Sequence, residues 1–173
     1  GCDETLKRMN RHYTAEEYLK GCELLRKYFD HPALTTDVIV GFPQESEEEF
    51  QQSREMIEQA DFYETHIFKY SRRQGTRADR MEGQIPEAVK TQRSHVLLEL
   101  GKAHKKRYME QFIGEKVEIL FDEKNQIQDK IYWNGYTREY LKVAVLSEEN
   151  LENQIKIGQI QGFLEDDTFI CTI

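Results

Sequence analysis

The sequence predicts an α/β region followed by an all-β region. Three observations carry that expectation. Helix and strand patterns alternate over the first two-thirds of the chain. The two strand segments there are separated by a helical pattern of the length a crossover needs. From about Ile113 the texture changes to short β-type runs, "KVEILF", "KIYWNGYTREYLKVAVL" and "KIGQIQGFLEDDTFICTI", divided by Gly, Asn and acidic residues. Such runs suit a small barrel. The expected domains are therefore 1–112 and 113–173.

The elements follow in order. Thr14 with Glu17 three residues on forms a capping box, and Leu19, Cys22, Leu25 and Phe29 then fall at helical spacing. His31-Pro32 ends that helix. Thr36 to Val40 shows no alternation, which predicts a strand buried on both faces, as in a parallel sheet. Ser46 and Glu49 form a second capping box ahead of an apolar face of Phe50, Met56 and Ile57. Glu47, Glu48 and Glu49 sit in the first turn, where the helix dipole favours acids. Phe62 to Tyr70 reads as the next strand. Pro86 is placed for the first turn of a long helix reaching about Tyr108. Two strands do not complete a parallel sheet. The expectation is the back part of an α/β barrel or doubly wound sheet, with an exposed strand edge and uncovered apolar faces that predict association or mobility.

Composition narrows the function classes. The 173 residues carry 24 basic and 32 acidic side chains, a formal net charge of −8, which argues against a purely electrostatic nucleic-acid binder. No apolar run approaches the roughly 20 residues of a membrane helix, and no signal-peptide pattern opens the chain. Cys2, Cys22 and Cys171 are widely spaced and form no CxxC or CxxxCxxC, so no compact metal or cluster site is expected. The five histidines show no HxH or HExxH spacing; His66, inside a strand, faces either a barrel interior or a core. Reduced thiols and a soluble composition point to the cytoplasm.

Four stretches could carry chemistry. "VGFPQES" ends a strand, where ligands bind in α/β folds; Gly41 would let a ligand approach the backbone, and an ordinary strand-to-helix loop is the competing reading. "FKYSRRQGTRADR" holds Lys69, Arg72, Arg73, Arg77 and Arg80 against only Asp79, whereas Pro43 to Asp61 holds seven acids and one Arg. That local basic cluster suits phosphate or a polynucleotide backbone, or else a solvated loop paired with neighbouring Glu. "KRMNRHYT" places Arg11 to hold a carboxylate or phosphate, or to flank a helix at the surface. In "WNGYTREYLKVAV", Asn134-Gly135 signals a hairpin turn. Trp133, Tyr136 and Tyr140 with Arg138 suit stacking on unpaired bases, or form the core of a small barrel. Residues 113 to 173 hold 12 acids and 6 bases, which weakens a simple electrostatic account of RNA binding there.

Taken in order along nearly the whole chain, "GCDETLKRMNRHYT", "TTDVIVGFPQESEEEF", "HIFKYSRRQGTRADRM" and the closing β region resemble the radical S-adenosylmethionine methylthiotransferases. "HIFKYSRRQGT" and "GYTREYLKV" look most like the branch that modifies threonylcarbamoyladenosine in tRNA; the isopentenyladenosine branch is the alternative.

The resemblance implies an enzyme that adds a 2-methylthio group to the adenosine just 3′ of the anticodon, with tRNA, through its anticodon stem-loop, as partner. It implies S-adenosylmethionine and two [4Fe–4S] clusters in the complete enzyme, a radical-SAM-type (β/α) partial barrel, and a TRAM β-barrel. The cluster-binding CxxxCxxC of the family is absent here. The chain is therefore expected to be a carboxyl-terminal portion, inactive without an amino-terminal part of the same protein. On its own it would have no catalytic residues, no metal and no bound cofactor. By resemblance, Ile39, Val40 and Gly41 lie beside the cofactor's adenine, although Asp37 stands where the looser G-x-I-x-G form has its first Gly. Phe68 and Tyr70 line the same pocket, and Arg11 and Asp37 are candidates for polar contacts to cofactor or substrate. Arg72, Arg73 and Arg77 would meet the tRNA backbone, with Tyr136 and Arg138 as further RNA contacts. Two readings of other classes stand beside this: an RNA-binding fragment without chemistry, and an unrelated α/β enzyme that would need a complete sheet.

Overall fold

The computed structural model describes residues 1–173, which divide into two compact units, Gly1–Lys105 and Lys106–Ile173. In the first unit, α1 (Asp3–Arg8) and α2 (Ala15–Tyr28) precede β1 (Thr35–Val40), α3 (Glu47–Ala60), β2 (Glu64–Lys69) and α4 (Glu87–Glu110), whose last residues run into the second unit. Both capping boxes form: Thr14 with Glu17 opens α2, and Ser46 with Glu49 opens α3. Each satisfies backbone donors that the first helical turn leaves unpaired.

β1 and β2 pair in parallel from Thr35↔Glu64 to Val40↔Lys69. The helices cover one face of this two-stranded sheet. Cys22 of α2, Val40 of β1, Phe50, Ile57 and Ala60 of α3, Phe62 just before β2, and Leu97 of α4 form a buried cluster, with Tyr18, Leu19, Val38, Met56 and Ile67 packed against it. The other face is open. Asp37 and Ile39 are exposed there opposite His66 and Phe68, and Phe68 is 53 % accessible. The expected burial of β1 on both faces is therefore corrected: exposure alternates along the strand because apolar layers reach it from one side only. Leu25 and Phe29, placed by spacing on the buried stripe of α2, are also exposed; Tyr18, Leu19 and Cys22 form the contact instead. His66 lies on the open face.

The second unit is a closed five-stranded barrel in the order β3 (Lys116–Ile127), β4 (Lys130–Thr137), β5 (Lys142–Val145), β7 (Thr168–Thr172), β6 (Ile155–Glu165), with β5 and β7 parallel. Closure leaves no free edge to template aggregation. Ile119, Phe121, Leu141, Val143, Val145, Leu151, Ile160 and Phe169 fill it.

Asn134-Gly135 is not a turn. Both residues lie within β4, with Gly135 opposite Phe121 on one side and Val143 on the other. The hairpin turns at Gln128-Asp129, where Gln128 adopts φ 54°. Gly135 is needed for close packing: a Cβ there would sit 2.5 Å from the Leu120 carbonyl oxygen. No helix is long and apolar enough to cross a membrane.

Candidate cofactor and RNA site

A cavity of about 660 Å³ opens in the first unit along β1 and the end of β2. That volume lies within the range typical of small-molecule sites. Its walls are built by both strands and by the segments that follow them. Ile39 and Phe68 come from the open sheet face, Val40 and Tyr70 from the strand ends, Asp37 from mid-strand and Arg11 from the segment after α1. Six of the seven residues proposed to contact a cofactor thus share one cavity. Arg73 and Thr76 of the basic loop line it as well.

Gly41 is the exception. It has φ +71°, the left-handed region that favours glycine, and a methyl group there would be driven into Lys90 Cγ. Its N–H donates to Glu45 Oε2 at 2.7 Å. The glycine serves packing of the turn on α4. Gly41→Ala is expected to cost about 2–3 kcal/mol from backbone strain and overpacking. Urea titration checks this, and Lys90→Ala in the same chain should recover the packing part alone.

The turn is clamped by a pair that sequence reasoning missed. Glu45 and Arg93 are 3 % and 5 % accessible. Arg93 Nη1 donates to Glu45 Oε2 at 2.7 Å and to the Glu45 carbonyl at 3.0 Å, while Nη2 reaches Glu47. Its guanidinium lies 5.1 Å from the centre of the Phe50 ring. Burial pushes the Glu45 carboxyl up, against the opposing pull of the Gly41 N–H and Arg93. The only sequence signal was Arg93's place in a run of mixed polarity that gave no reason to bury it. Nearby, Arg8 makes a forked contact with Glu49, joining α1 to the start of α3 and holding that carboxyl below its ordinary range.

The basic loop is less uniform than its composition suggested. Arg72 Nε donates to Asp79 at 2.9 Å, and Lys69 pairs with Glu87. Arg73, which lines the cavity, and Arg77 make no side-chain ion pair. Lys90 is buried and donates to the Tyr70 carbonyl at 2.8 Å. In the barrel, Tyr136 stacks on Tyr140 at 5.1 Å, and Tyr140 is 77 % accessible. Arg138 donates to Glu118 at 2.9 Å. Trp133 belongs to the barrel instead: it is buried and its Nε1 donates to the Glu149 carbonyl.

Residues 1–57 match the radical SAM superfamily. Over 156 residues the chain is 40 % identical to the threonylcarbamoyladenosine tRNA methylthiotransferase MtaB of Bacillus subtilis (strain 168), covering 90 % of this chain and 35 % of that protein. Over 163 residues it is 34 % identical to a tRNA-2-methylthio-N(6)-dimethylallyladenosine synthase of Protochlamydia amoebophila (strain UWE25), covering 94 % and 36 %. The chain belongs to the radical S-adenosylmethionine methylthiotransferase family. A second MtaB, from Thermotoga maritima, is 41 % identical over 120 residues, 69 % of this chain and 28 % of that protein. The chain thus spans little more than a third of the length of these curated relatives.

The family implies S-adenosylmethionine and iron–sulfur clusters. The cavity fits one wall of a nucleoside site: apolar surface from Ile39 and Phe68 suits a purine face, and the buried Tyr70 hydroxyl has no hydrogen-bond partner. A cluster does not fit these residues. Cys2, Cys22 and Cys171 are free and buried, and no three His, Cys, Asp or Glu side chains converge.

Proposed function

We propose that this chain serves in a tRNA methylthiotransferase that places a 2-methylthio group on N6-threonylcarbamoyladenosine beside the anticodon. The observation that carries the reading is the single cavity shared by Arg11, Asp37, Ile39, Val40, Phe68 and Tyr70, at the strand ends of a chain from this family. Bound S-adenosylmethionine would supply the radical chemistry of the reaction. These residues would hold and orient its nucleoside part and the target base. Ile39, Val40 and Phe68 exclude water, Tyr70 offers its hydroxyl, and Arg11 and Asp37 offer polar contacts to the target base and its substituent. Gly41 acts at one remove, by setting the turn.

Arg72 and Arg77 follow β2 and fit the role of contacts to the tRNA backbone, while Arg73 between them faces the cavity. The barrel is read as a TRAM domain, with the Tyr136–Tyr140 stack and Arg138 turned to RNA. Action on tRNA fits a cytoplasmic location. Arg77→Ala in the full-length protein is expected to weaken all tRNAs alike and to reduce the salt slope of binding by about one unit. A filter-binding series across salt concentrations measures this, and an unchanged slope removes Arg77 from the interface.

The dimethylallyladenosine reading has a specific observation behind it: a relative of that type matches over 94 % of the chain. Nucleoside mass spectrometry of tRNA from a deletion strain separates the two. The threonylcarbamoyl reading expects 2-methylthio-N6-threonylcarbamoyladenosine to vanish while its unthiolated precursor accumulates. Loss of the dimethylallyl nucleoside transfers the chain to the other branch. No change in either refutes the methylthiotransferase reading.

A further inference from the structure

Two cations at the cavity have no part in holding the fold. Arg11 and Arg73 both line it, and neither guanidinium has a hydrogen-bond or ion-pair partner. The cations around them are committed. Arg8 holds Glu49, Lys69 pairs with Glu87, Arg72 with Asp79, and Arg93 with Glu45, while Lys90 holds the Tyr70 carbonyl. Of the two carboxylates that line the cavity, Glu45 is taken by Gly41 and Arg93, which leaves Asp37. The cavity therefore combines an apolar wall, Ile39 and Phe68, with two free guanidinium forks and one free carboxylate.

That combination favours an aromatic ligand carrying its own carboxylate and a neighbouring donor. Guanidinium forks match carboxylates in a bidentate geometry that a solvated lysine does not offer. The two substituents named among the relatives differ in this respect. A threonylcarbamoyl group ends in a carboxylate, with a hydroxyl and a ureido N–H beside it. A dimethylallyl group is an uncharged hydrocarbon.

We propose that Arg11 and Arg73 recognise the carboxylate of the threonylcarbamoyl substituent, with Asp37 accepting from its hydroxyl or N–H. This rests on the methylthiotransferase reading and makes the pair the determinant of which modified adenosine is accepted. A dimethylallyl group would strip water from both cations and leave them unpaired, so the same residues select against it.

The carboxylate could also be that of S-adenosylmethionine, and the cations could serve tRNA phosphates. The test uses the full-length protein and three anticodon stem-loop RNAs, identical except for threonylcarbamoyl-, dimethylallyl- or unmodified adenosine. S-adenosylhomocysteine is titrated separately. Arg11→Gln and Arg73→Gln are expected to weaken the threonylcarbamoyl RNA by about tenfold or more, the scale of a charged hydrogen bond. The other two RNAs and S-adenosylhomocysteine should change by less than about twofold, well under that scale. Both side chains are exposed, and thermal melts should show both variants folded like the parent. Equal loss on all three RNAs overturns the proposal in favour of phosphate contacts. Loss confined to S-adenosylhomocysteine overturns it in favour of the cofactor. A parent protein that does not prefer the threonylcarbamoyl RNA also overturns it. The deletion-strain nucleosides then show independently whether the methylthiotransferase reading survives.

Discussion

Arg93→Ala is expected to destabilise the α/β unit by about 3–5 kcal/mol, the cost of removing one partner from a buried ion pair. The loss is large because Glu45 stays behind. It is buried, and its remaining partner is the Gly41 N–H at 2.7 Å. The pH dependence gives the prediction a second readout. Burial already raises the Glu45 carboxyl above its ordinary value in the folded state. The folded protein therefore keeps a proton that the unfolded chain releases. The stability from this group is greatest below the ordinary carboxylate range and is lost as pH rises through the folded value. Without Arg93 that folded value rises further. The variant should come nearest to the parent in acid and fall furthest below it at neutral pH. Urea titrations in mild acid and at neutral pH compare the two conditions. A difference between variant and parent that does not change with pH would show that Glu45 is not the charge left behind.

Gly135→Ala carries the other large effect, about 3 kcal/mol and loss of a uniquely closed barrel. Its Cβ would meet the Leu120 carbonyl oxygen at 2.5 Å and Ile119 Cγ2 at 2.8 Å. Backbone and a fully buried neighbour cannot give way as a flexible side-chain tip can. Gly21→Ala is the control. Gly21 lies within α2, and a methyl group there would meet no atom within 4 Å, so alanine should stabilise by about 0.5–1 kcal/mol. Circular dichroism melts of the two variants should move in opposite directions. A Gly135→Ala melt within error of the parent would mean that β4 can slide away from β3, and the close packing inferred at Phe121↔Gly135 would be wrong.

These two positions also mark where reading the chain fails. Asn134-Gly135 has the composition of a tight turn, yet it lies inside a strand. The dipeptide signal is local, and the need for a side-chain-free position against the Leu120 carbonyl arises only once β3 and β4 are in register. Gly41 looked like a place for a ligand to approach. Its missing side chain makes room for Lys90, 49 positions along the chain on α4. Arg93 sits among polar neighbours on α4 and is buried because Glu45 and Phe50 reach it from a different element.

What the sequence alone determined about this protein was everything carried by short-range chemistry and periodicity. The two capping boxes, the two strand patterns, the change to β texture and the composition of the basic loop all rest on residues near each other along the chain. Six of the seven residues assigned to the cofactor by resemblance also line one cavity: Ile39, Val40, Phe68 and Tyr70 because two paired parallel strands end side by side, with Asp37 from mid-strand and Arg11 from the segment after α1. Tertiary structure alone decided which charges are free. Arg8, Arg72 and Arg93 are held by acids 41, 7 and 48 positions away, while Arg11 and Arg73 are left facing the cavity. A charge's partner depends on distance in space, and no pattern along the chain records it.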